Sequence, residues 1–202
     1  LRNDAAVALR IVVVGDELVA GVGDPKALGW VGRVVARTIA PEPPLVLTLA
    51  MPGETSTHLA ARWEAEALGR LDPGSDNRLV VALGRGDGAA GLSLARSRLN
   101  LAKILDAAAQ HRIPAFVVGP PPAHPDANMH LAALSAAFSD VADRRTIPYV
   151  ETFAPLVAHD QWLADLASSD GSLPGQAGYG LIAWLVLHTG WHAWLGLPSD
   201  AD

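Results

Sequence analysis

The chain has 202 residues, half of them apolar, and a formal net charge of −6; it can bury one sizeable core and has the wrong sign for gripping a phosphate backbone. It contains no cysteine, which excludes disulfides and thiolate metal sites. Leu1 to Arg10 shows no leader pattern and the apolar run Leu181 to Leu187 is too short to cross a bilayer, so the expectation is one cytoplasmic domain over residues 1–202, with neither nucleic acid nor membrane as a partner.

In chain order, Ala8 to Val14 is a β-branched run ending at Gly15 and reads as a buried parallel strand. Gly29 to Ile39 has helical apolar spacing and stops before the proline-rich stretch Pro41 to Pro44. Leu45 to Ala50 is a second strand. Glu54 to Leu71 reads as a helix capped by Thr55 or Ser56 and closed before Pro73-Gly74. Arg78 to Leu83 is a third strand, followed by a glycine-rich loop from Gly84 to Gly91. Leu92 to Gln110 is a long helix, Ile113 to Val118 a fourth strand, His130 to Arg144 a further helix and Pro148 to Glu151 a short fifth strand. Pro174 to Leu195 forms a closing helix, broken near Gly190. Five strands alternating with helices predict an α/β fold, a three-layer α/β/α sandwich with a five-stranded parallel sheet. Ligands of such sheets bind beyond the carboxyl ends of the strands, which directs attention to the loops that follow them.

Those loops, joined by the loop before the last helix, carry five blocks in order: Gly15-Asp16-Glu17-Leu18 with Gly21, Gly53 within Pro52-Gly53-Glu54, Gly84-Arg85-Gly86-Asp87, Val118-Gly119-Pro120-Pro121-Pro122, and Asp170-Gly171-Ser172-Leu173-Pro174. Together they resemble the bacterial branch of the SGNH (GDSL-type) hydrolases over roughly residues 9 to 195. The resemblance implies a flavodoxin-like domain with a serine nucleophile, a histidine base, an aspartate orienting that histidine, and an oxyanion hole. It places the nucleophile at Glu17, the base at Leu173, the orienting aspartate at Asp170, and the oxyanion donors at Gly53 and Gly86. Only Gly53 and Asp170 match the family's residue types. Leu173 can move no proton. Gly86 lacks a side-chain donor, a loss of about 10²–10³ in rate, and without the triad members about 10³–10⁴ over water is the most that remains. Conventional ester hydrolysis is therefore not expected, nor is a cofactor or a metal.

Glu17 is the distinctive residue, because a carboxylate stands where the resemblance expects a hydroxyl. With Asp170 it forms a candidate acid/base pair, and with Arg85 a candidate ion pair that would plug the site. His124, after the fourth strand, is the histidine best placed to join it. Asp16 and Asp87 match acidic positions of the family that support loops. His188 and His192 are four apart and share a face if their helix is continuous; His130 is expected at the surface. Arg85-Gly86-Asp87 spells an adhesion tripeptide, but it is better explained as the altered third block. Trp30 and Trp63 belong to the core, and Trp191 and Trp194 are candidates for an exposed patch. Three functional readings follow. The first is a non-hydrolytic protein that binds a small molecule, or a protein partner, at the strand ends. The second is an enzyme using Glu17 for dehydration, cyclisation or isomerisation, and the third is a residual acyl esterase.

Overall fold

The computed structural model describes residues 8–169 and 171–198. Five strands, β1 (Leu9–Gly15), β2 (Leu45–Ala50), β3 (Asp76–Ala82), β4 (Ala115–Val118) and β5 (Tyr149–Val150), form one sheet in the order β2-β1-β3-β4-β5. Every pairing is parallel, with Val14 of β1 opposite Leu49 on one side and Val81 on the other. This is a doubly wound α/β sheet of flavodoxin-like order, and its winding reverses between β1 and β3, the place where such sheets open a crevice.

Alternation along the strands sorts the core into two layers. Ile11, Val13, Val80, Phe116 and Val118 face α2 (Gly29–Val35), α8 (Asp160–Ala167) and α9 (Gln176–Val186). Val12, Val14, Leu79, Val81 and Val117 face α3 (Ser56–Leu68), α5 (Leu94–Gln110) and α6 (Pro125–Asp143). In α5 the buried positions Ser97, Asn100, Leu101, Ile104, Leu105 and Ala108 recur at three- and four-residue spacing, a single stripe of an amphipathic helix. Trp30 and Trp63 are buried as expected.

Several boundaries differ from the sequence expectation. The loop expected from Gly84 to Gly91 contains a short helix, α4 (Arg85–Ala89); glycine disfavours helix, and tertiary contacts hold this turn. Helix α6 starts at Pro125, five residues before His130, with proline at the first helical position, where its missing N–H is harmless. Two short helices, α7 (Phe153–Leu156) and α8, were not anticipated. The closing helix does break at Thr189 and Gly190, whose backbone is non-helical, before α10 (His192–Leu195). The break lies between His188 and His192, so their common face is lost. Trp191 is buried edge-on against Phe116 and donates to Thr38 at 2.9 Å. Trp194 packs partly buried on the same ring, and Trp184 is the exposed tryptophan of this segment. No described helix is long and apolar enough to cross a membrane.

Candidate functional site

The site forms where β1, β2 and β3 end. After β1, the buried Asp16 accepts the Leu18 N–H at 3.0 Å and so caps the short helix α1 (Glu17–Ala20). That cap fixes Glu17 as the first residue of the helix. After β2, Glu54 N–H donates to the Met51 carbonyl at 3.1 Å. Pro52 and Gly53 are the inner residues of this turn, and Gly53 has φ +73°. Proline followed by a left-handed glycine is the signature of a type II turn. The turn's own bond uses the Glu54 N–H, which leaves the Gly53 N–H to point at the site. Its acceptor is Glu17 Oε2, at 2.8 Å.

After β3, Arg85 opens α4. Its Nη1 lies 3.9 Å from Glu17 Oε1, and its Nη2 donates to the Ser172 carbonyl in the loop before α9. The expected Glu17–Arg85 pair is thus present as an ion pair without a hydrogen bond. Gly86 is pressed on the turn after β2: a Cβ there would lie 2.3 Å from the Glu54 carbonyl oxygen. Asp87 is fully buried and accepts the Ser56 N–H at 2.6 Å, tying α4 to the first turn of α3. Burial, reinforced by the neighbouring Glu17 charge, pushes the Asp16 carboxyl from its ordinary 3.8 up to about 7, against the opposing pull of the Leu18 N–H and Arg85. Below these groups Leu18, Trp30, Val118, Pro120 and Ile182 line a cavity of only about 10 Å³, room for a single water.

The remaining predicted residues divide. Leu173 is half buried, packs on the core layer of α2 and α9, and has its Cβ beside Gly23. Asp170 lies outside the described residues, so the Glu17–Asp170 pair does too. His124 is exposed at the rim, near Gly171, with Asp126 at 3.4 Å. His130 is not a surface group. It is half buried against Gly88, and its Nε2 has no hydrogen-bond partner among the described residues. Among the described residues no cluster of three or more His, Asp and Glu could hold a metal ion.

Three supporting carboxylates escaped the sequence reading. Asp24 accepts the N–H groups of Lys26, Leu28 and Gly29 and pairs with Arg33, shaping the loop between α1 and α2. The Arg33 guanidinium, with those N–H groups, holds the Asp24 carboxyl down at about 2. Glu54, wholly buried, pairs with Arg62, which also donates to the Leu49 carbonyl at 2.9 Å. Asp165 accepts the Gly175 and Gly178 N–H groups at 2.6 and 2.8 Å, satisfying the start of α9. A carboxylate three or four residues ahead of an arginine is a visible cue, but these pairs span eight and nine residues and no local pattern marks them.

Comparison with known proteins places this geometry. The family of GDSL-like lipases/acylhydrolases matches residues 13–181. Similar solved structures include the lipase/acylhydrolase from Enterococcus faecalis, 22% identical, with a TM-score of 0.74 over 96% of this chain and 100% of that one. The acetylxylan esterase Axe2 from Geobacillus stearothermophilus is 15% identical, with a TM-score of 0.74 over 97% and 99%. The psychrotrophic esterase EstA from Pseudoalteromonas sp. is 19% identical, with a TM-score of 0.72 over 93% and 98%. The curated proteins contain no match. At these identities the structural likeness speaks for the fold.

Proposed function

The chain belongs to the GDSL-like lipase/acylhydrolase family, and from that premise we propose that it is a non-hydrolytic member, a small-molecule-binding protein on an esterase scaffold. The observation that carries this reading is the hydrogen bond from Gly53 N–H to Glu17 Oε2 at 2.8 Å. An oxyanion hole works by holding N–H donors ready for charge that develops in the transition state. Here the donor that the family resemblance assigns to that task is already taken by a carboxylate. A hydrogen bond to a charged group contributes about 1.5–3 kcal/mol, which a substrate carbonyl would have to displace. The Glu17 charge would then repel the very oxyanion the donor should stabilise. Leu173, at the position of the base, packs half buried against the core, and Gly86, pressed on Glu54, adds no side-chain donor.

The test is a fluorophosphonate probe followed by intact mass, together with p-nitrophenyl acetate turnover. No adduct and a buffer-level rate are expected; labelling of a serine, or saturable turnover lost in Ser172→Ala, overturns the reading. A second reading, acid/base catalysis by Glu17, is favoured by its neighbour Asp16, whose carboxyl at about 7 keeps an exchangeable proton in the site near neutral pH. On that reading Glu17→Gln abolishes turnover of the substrate while the fold persists; unchanged turnover removes Glu17 from the chemistry.

A further inference from the structure

We propose that the space over Gly53 is a receptor for a small carboxylate, held by the Gly53 N–H and Arg85 Nη1, and that Glu17 is its displaceable internal stand-in. The proposal rests on the non-hydrolytic reading of the same site and gives it a ligand class.

The first observation is an unfinished donor. Arg85 Nη1 is buried and, among the described residues, makes no hydrogen bond. The nearest carboxylate oxygen, Glu17 Oε1, stays at 3.9 Å, beyond hydrogen-bond length. A guanidinium is always charged, and leaving one of its donors buried and unmade is costly. Rotation of Arg85 is restrained, because Nη2 is anchored on the Ser172 carbonyl. The donor is held in place, and no described residue receives it.

Second, the tether explains why Glu17 cannot finish the job. Its backbone is fixed by the Asp16 cap and its Oε2 by Gly53. The same carboxylate therefore reaches one donor and falls short of the other. An untethered carboxylate has two oxygens and can offer one to each, the two-point recognition for which arginine is suited. On exchange the Glu17 carboxylate turns outward into solvent and the incoming carboxylate takes its place beside Arg85, with Asp16 still buried beneath.

Third, the carboxylate position is open on the side of the turn. A Cβ built on Gly53 would meet nothing within 4 Å, and the Glu17 side chain is one-fifth exposed, so the carboxylate position opens to solvent over the turn. On the side of Arg85 away from the turn, the cavity lined by Trp30, Val118 and Pro120 has only about 10 Å³, too little for a carboxylate and its tail. A ligand must therefore enter carboxylate first, with its tail trailing outward over Gly53. Charge is required and the tail is weakly specified. Neutral esters and amides of the same acids, which offer Arg85 no charge, are excluded.

The experiment compares the full chain with Glu17→Ala and with the double variant Glu17→Ala/Arg85→Met, using sodium acetate and sodium propionate as probes. Sodium chloride at equal ionic strength and acetamide are the controls. Removing the internal competitor should tighten binding by about tenfold or more, read by calorimetry and by a rise in the melting temperature of Glu17→Ala. Acetamide should do neither, and the double variant should lose the response. If Glu17→Ala does not fold, the amide resonance of Gly53 in the intact chain is followed during an acetate titration; a saturable shift supports the site. Acetate acting no differently from chloride, or a response that survives loss of Arg85, overturns it. The two readings separate cleanly: ester turnover would sink the non-hydrolytic reading whatever acetate does, and absent acetate binding without turnover would sink the carboxylate site alone.

Discussion

Replacing Asp16 by asparagine should make the protein more stable at pH 8 and leave it nearly unchanged at pH 4. Asp16 is 2% exposed and the pKa of its carboxyl rises from 3.8 to about 7 in the folded chain, chiefly through burial. Between those two values the folded chain binds more protons than the unfolded chain, so stability falls as pH rises through the window and is flat beyond it. A rise of about three units corresponds to about 4 kcal/mol, at 1.36 kcal/mol per unit. Asparagine carries no charge and keeps an oxygen for the Leu18 N–H that Asp16 accepts at 3.0 Å, so the cap of α1 survives. Urea denaturation of both proteins from pH 4 to pH 8 gives the difference directly, and groups that titrate alike in both cancel. The stability of Asp16→Asn relative to the parent should climb with pH and level off near pH 7 to 8, by up to about 4 kcal/mol. A pH-independent difference, or one that favours the parent at pH 8, refutes the claim that a buried Asp16 is forced to ionise there.

Other substitutions test the packing around the site. In Gly86→Ala the new Cβ falls 2.3 Å from the Glu54 carbonyl oxygen, and the displacement of one loop should lower stability by about 1–3 kcal/mol; an unchanged denaturation midpoint would show that the loops are not in close contact. Arg62→Met strands the wholly buried Glu54 without its partner and should cost about 3–5 kcal/mol, whereas a loss under about 1 kcal/mol would mean that Glu54 does not need Arg62 as a counter-ion. Trp162→Ala empties a fully buried site and should cost about 3–5 kcal/mol in thermal or urea melts. Trp184→Ala, at a position 57% exposed, should stay within about 0.5–1 kcal/mol of the parent; equal costs at the two positions would contradict their placement.

Much of this protein was determined by local pattern. The β-branched run Ile11 to Val14 can be buried on both faces only as a central strand, and it lies between β2 and β3. Pro52-Gly53 announces its turn because few other pairs adopt those angles, and Gly190 breaks the closing helix where the sequence places it. The ordered loop blocks led to the right family, since the first four sit at the ends of strands and the fifth opens the last long helix. Tertiary structure decided the rest. Strand order, the short helix hidden in Gly84 to Gly91 and the burial of Trp191 depend on neighbours distant in the chain. So does the role of Glu17. The sequence marked it as a carboxylate in an unexpected place and named Arg85 as its partner, yet its hydrogen bond goes to a backbone N–H thirty-six residues away. Local preference ends where the strands do; there, only the fold brings one loop's acceptor to another loop's unspent donor, and among the described residues it leaves Arg85 Nη1 without one.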